Sequence, residues 1–124
     1  MAQTPEGKVK DKVKKALRDE GLYLFSDYVK LAPKDDIQGF FYMPVAGPFS
    51  VHGVHDFVGC WRGVFFSIET KAPDASEDCT PLQGEFMKAT LASGGISIVG
   101  ARDAACVPLI KELVQEILDG RKKF

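Results

Sequence analysis

The chain has 124 residues, 45% of them apolar and 27% charged, a composition that builds one domain over 1–124 and excludes a disordered or fibrous chain. Sixteen Lys and Arg stand against 17 Asp and Glu, and a net charge of −1 argues against a protein that coats nucleic acid by bulk positive charge. No apolar run approaches the ~20 residues that span a bilayer and the first residues lack a signal-peptide pattern, so a cytoplasmic protein with no membrane partner is expected.

Thr4-Pro5 reads as an N-cap followed by proline at the first helical position, and Val9, Val13, Ala16 and Leu17 then recur at helical spacing until Gly21. Lys8, Lys10, Lys12, Lys14, Lys15 and Arg18 crowd this helix, and Arg121, Lys122 and Lys123 crowd the C-terminus. Such clusters either follow a phosphate backbone or form a solvated helix face and a tail. Residues 22–37 carry no clear period, and Pro33-Lys34-Asp35-Asp36 reads as a turn.

Three segments of strand character follow. Gly39 to Val45 ends at Ala46-Gly47-Pro48. Asp56 to Cys60 turns tightly at Trp61-Arg62-Gly63 and returns as Val64 to Lys71. Ala72 to Cys79 is a polar, acidic loop. A helix starts at Thr80-Pro81 and stops at Gly94-Gly95, Ile96 to Val99 is a short strand, and an amphipathic helix carries Leu109, Ile110, Leu113, Val114, Ile117 and Leu118 up to Gly120. The order helix, three strands, helix, strand, helix points to an α/β domain with a mixed sheet covered by helices. The three cysteines, Cys60, Cys79 and Cys106, are scattered without metal-ligand spacing and are expected free, with Cys60 and Cys106 in the core.

The chemistry concentrates in Asp56 and in Glu69-Thr70-Lys71. Residues two apart in a strand share a face, so Glu69 and Lys71 point together while Phe66, Ile68 and Thr70 point the other way. A glutamate directly after Phe65-Phe66-Ser67-Ile68 needs a partner or a metal, because charges are almost never buried alone. The hairpin returns this strand end to Asp56, placing two carboxylates and an ammonium at one sheet edge. Two such carboxylates suit a hard divalent cation, Mg2+ or Mn2+, and phosphodiester hydrolysis. The alternative is a cross-strand ion pair on a solvated face, worth well under ~1 kcal/mol.

With Gly53-x-x-Asp56, Glu69-x-Lys71-Ala72-Pro73, Thr80-Pro81-Leu82-Gln83 and Gly94-Gly95 before an apolar strand, the chain resembles the VRR-NUC branch of the PD-(D/E)xK nucleases from about Glu6 to Val99. The resemblance implies a restriction-endonuclease-like fold and a metal-dependent DNA endonuclease. Asp56, Glu69, Lys71 and Gln83 would be its catalytic residues, and Glu6, Asp56, Glu69 and the carbonyl of Thr70 its metal contacts. It further implies a virus-encoded homodimer acting on branched DNA such as four-way junctions. His55 departs from the family, which usually has proline before the aspartate.

Two of these residues have a second reading. Thr80-x-x-Gln83 is also a capping box, and Glu6 in a first helical turn also suits the helix dipole. His52 and His55 flank Asp56 as substrate-side or structural residues. No zinc finger or helix-turn-helix is legible, so selection by DNA shape is expected. The competing classes are a restriction-type sequence-specific endonuclease, which would need recognition loops, and a non-catalytic DNA-binding or assembly protein that keeps the fold. For a dimer, the apolar material is Phe40-Phe41-Tyr42 and the free face of the last helix, which are otherwise core.

Overall fold

The computed structural model describes residues 3–45 and 47–121; Ala46, Lys122 and Lys123, named above, lie outside them. Among the described residues the elements run α1 (Pro5–Asp19), β1 (Tyr23–Leu24), α2 (Phe25–Leu31), β2 (Gly39–Tyr42), β3 (Phe57–Trp61), β4 (Val64–Thr70), α3 (Pro81–Ala92), β5 (Ile96–Ala101) and α4 (Cys106–Arg121). The fold is mixed α/β. A five-stranded sheet is ordered β1-β2-β3-β4-β5, with β2, β3 and β4 antiparallel and the outer strands β1 and β5 parallel to their neighbours.

Local chemistry accounts for most boundaries. Thr4 caps α1 by accepting from the N–H of Gly7, and the chain leaves the helix through Gly21 at φ +93°. The β3–β4 hairpin turns at Arg62 and Gly63, both at positive φ, the two-residue geometry that matches strand twist. Arg102 ties down the acidic loop by donating to Asp78 and to the carbonyls of Ala75 and Glu77.

The core lies between the sheet and the α1/α4 layer. Val9, Val13 and Leu17 of α1 and Ile110 and Val114 of α4 pack with Phe41, Phe57, Trp61, Phe66 and Ile68 of the sheet. On the opposite face, α3 packs over β4 and β5, with Thr90 beside Gly95 and Phe65.

Several expectations are corrected here. The stretch 22–37 contains β1 and α2, adding a strand and a helix to the expected order. A two-residue strand has no period, and α2 has no side-chain cap and no buried residue to mark it. Gly120 does not stop the last helix, which runs through it to Arg121. Phe41 is fully buried, so only Phe40 and Tyr42 of the aromatic run reach the surface, and Cys60 is half-buried where Cys106 is in the core.

Two glycines should respond oppositely to alanine. A Cβ on Gly59 would lie 2.5 Å from the Phe40 carbonyl oxygen and 2.8 Å from Phe41 Cβ, whereas one on Gly120 meets nothing within 4 Å among the described residues. Denaturant unfolding should show Gly59→Ala destabilised by about 2–3 kcal/mol and Gly120→Ala stabilised by up to about 1 kcal/mol.

Candidate functional site

The register that pairs Phe57 with Ile68 sets Asp56 opposite Glu69, where β3 begins and β4 ends. The two residues are bonded through the backbone. The N–H of Asp56 donates to Glu69 Oε1 at 3.1 Å. In return, Asp56 Oδ2 accepts from the N–H of Thr70 at 2.9 Å and from its hydroxyl at 2.6 Å. The β4–β5 register shifts between Ile68 and Thr70, so simple strand alternation does not extend into the site.

Glu6, on the first turn of α1, completes a cluster. Carboxylate oxygens of Glu6, Asp56 and Glu69 all lie within 4.8 Å of one another. Two ammoniums face them: Lys71 Nζ is 3.8 Å from Glu69 Oε2, and Lys10 Nζ is 3.5 Å from Asp56 Oδ1. The structure thus brings together four of the expected residues, Glu6, Asp56, Glu69 and Lys71. Thr70 contributes by anchoring Asp56 through its N–H and hydroxyl.

Glu69 is 3% exposed. Burial, and then the adjacent Asp56 carboxylate, push its carboxyl up to about 7; Lys71 and the Asp56 N–H pull against this, and Glu6 adds to it. An all-oxygen donor set of this kind suits a hard divalent cation such as Mg2+ or Mn2+. The residues present fit such an ion.

Gln83 forms the capping box. Its Oε1 accepts from the N–H of Thr80 at 2.8 Å, and the Thr80 hydroxyl accepts from the N–H of Gln83. It also lines a hollow of about 410 Å³ that holds Asp56, His52 and His55 at its wall. The expected catalytic side chain thus lines the same hollow as Asp56, with its oxygen engaged in the cap.

His55 is a structural residue. It is 1% exposed, and its ring lies 4.7 Å from that of Phe86. The Gln83 carbonyl can only accept, so His55 Nε2–H donates to it at 2.8 Å, leaving Nδ1 to accept from the Ser67 hydroxyl at 2.9 Å. Ser67 in turn shares a 2.7 Å bond with Ser97 on β5. Burial holds the histidine below its usual pKa, and hence neutral. This buried polar network fixes the backbone before Asp56.

Neither that network nor Lys10 was singled out by sequence. Lys10 lies four residues after Glu6, a spacing that places both on one helix face and was available as a signal.

No protein-family model, no curated protein and no solved structure matches the chain.

Glu69 makes stability depend on pH in a defined direction. The unfolded carboxyl loses its proton near 4.5 and the folded one near 7, so between these values the unfolded chain binds fewer protons. Stability contributed by this group is therefore present at low pH and lost as pH rises through 7, by roughly 3 kcal/mol. Thermal melts in chelator should show this loss between about pH 4.5 and 7, and Glu69→Gln should remove it. An unchanged slope in that variant would refute the assignment.

Proposed function

We propose that the chain is a divalent-metal-dependent DNA endonuclease that hydrolyses phosphodiester bonds, with a restriction-endonuclease-like fold and a preference for branched DNA. The observation that carries this reading is the meeting of Glu6, Asp56 and Glu69, from three separate elements, with Lys71 at 3.8 Å from Glu69. Resemblance to the VRR-NUC nucleases assigns the same residues from sequence. The mixed sheet, with β5 parallel to β4 across the α3 connection, is compatible with the fold.

Mg2+ or Mn2+ bound here would polarise a phosphoryl oxygen and lower the pKa of a water. Asp56 and Glu69 would hold the ion through oxygens whose partner oxygens are fixed by backbone N–H groups, and Glu6 would supply a third ligand from α1. Lys71, half-buried beside Glu69, orients the attacking water and offsets charge developing on the phosphate. The first turn of α3 lines the hollow at Asp56, and substrate in that hollow would meet Gln83 there.

Purified protein should cleave DNA only with Mg2+ or Mn2+, and Asp56→Ala and Glu69→Ala should abolish cleavage without unfolding. Lys71→Ala should lose most turnover, at least about 100-fold, yet keep cation binding by calorimetry. Full activity in chelator, or in either carboxylate variant, would refute the function.

The reading includes a homodimer, since paired incision of a four-way junction needs two catalytic centres related by a two-fold axis. Phe25, Tyr28, Val29, Leu31, Phe40 and Tyr42 supply exposed apolar surface on α2 and β2 for such an interface. Light scattering at micromolar concentration should give a dimer, and four-way junctions should be cut in preference to linear duplex. A monomer that nicks linear duplex equally well would contradict this part of the proposal.

A further inference from the structure

The two central carboxylates are held alike. In each, one oxygen is fixed by backbone donors: Asp56 Oδ2 by Thr70, and Glu69 Oε1 by the N–H of Asp56. In each, the other oxygen faces a lysine, Lys71 at Glu69 Oε2 and Lys10 at Asp56 Oδ1. Lys71 adjoins Glu69 in the chain, but Lys10 arrives from α1. Its approach is set by Val9 and Val13, at 3% and 0% exposure, which seat that helix on the core. Both partners are drawn partly out of water, with side-chain exposures of 34% for Lys10 and 20% for Asp56. Their attraction is correspondingly stronger than that of a fully solvated pair.

We propose that Lys10 is an exchangeable counter-ion: it occupies Asp56 Oδ1 until a divalent cation takes that oxygen, and then holds a phosphate oxygen of the bound strand. The proposal rests on the reading of this cluster as a metal centre. Asp56 Oδ2 already accepts two short bonds from Thr70, so Oδ1 is the oxygen open to a cation. Lys10 occupies it, and two cations on one oxygen repel. The lysine's flexible four-carbon stem lets its ammonium move while α1 stays in place.

Charge explains where the ammonium goes. A cation binds the charged forms of its ligands, and counted in those forms three carboxylates and two lysines sum to −1, which a divalent cation turns to +1. That excess matches the single negative charge of one phosphodiester. Cation binding therefore creates the phosphate site, and the strand follows the metal. Lys71 stays with the water and Lys10 with the strand.

Calorimetric titration with Mn2+ in the absence of DNA tests the first half, and single-turnover cleavage of a labelled four-way junction in saturating Mn2+ tests the second. Lys10→Met should bind Mn2+ about tenfold more tightly than the unsubstituted chain, because a competing positive charge is gone. Its cleavage rate should nevertheless fall about tenfold, and Lys10→Arg should return both values toward the original. Damage to the fold would weaken both, so opposite movement is the signature of exchange. Mn2+ affinity that is unchanged or lower in Lys10→Met overturns the exchange, and an unchanged cleavage rate overturns the phosphate contact. Failure of the unsubstituted chain and the variant alike to bind Mn2+ overturns the metal-centre reading itself.

Discussion

The reciprocal bonding of Asp56 with Glu69 and Thr70 is the constraint on which the candidate site depends. Carboxylates at the end of a hydrophobic sheet carry a large desolvation cost, and each here offsets it by accepting backbone N–H bonds from the neighbouring strand. The same bonds fix both carboxylates to the β3–β4 ladder, so their separation is set by strand register and not by flexible side chains. Register is in turn secured by the Arg62-Gly63 turn and by Phe57, Phe66 and Ile68, which a one-residue slip would take out of the core to the opposite face of the sheet.

Around this clasp a buried polar network adds order. His55, Ser67 and Ser97 form a buried chain of hydrogen bonds ending on the Gln83 carbonyl, linking the loop before β3, strands β4 and β5, and the first turn of α3. Every polar atom of the histidine ring is satisfied, so the network adds rigidity without the cost of an orphaned donor. Three carboxylates face Lys10 and Lys71, and burial first, then the Asp56 carboxylate, raise the pKa of Glu69. The proposed metal site would thus sit in a rigid frame, beside a hollow lined by Asp56.

Much of this was legible in the chain itself. Thr4-Pro5 and Thr80-Pro81 fixed two helix starts because capping is a local interaction between a side chain and the next turn. Trp61-Arg62-Gly63 marked the hairpin, and that turn alone brings Asp56 back to Glu69. The acidic pair and Lys71 could therefore be placed at one sheet edge before any tertiary contact was known. Thr80-x-x-Gln83 carried two readings, and the capping bonds predicted by one of them are present.

What lay beyond the sequence depends on distances between segments far apart in the chain. Short β1 and uncapped α2 lack the periodicity that would reveal them, and they exist as part of a sheet edge. The role of His55 is decided by Ser67, 12 residues on, and Gln83, 28 residues on, which only the packing of α3 over the sheet brings within reach. Glu6 and Lys10 sit on one helix face by sequence, but whether that face meets Asp56 is decided by how α1 seats on the core through Val9, Val13 and Leu17. Local chemistry thus determined the caps, the hairpin and the central carboxylate pair, because each involves neighbours along the chain or across one turn. The third carboxylate, the second lysine and the buried histidine network were decided by tertiary packing, because electrostatic contacts act over a few ångströms of space whatever the separation in sequence.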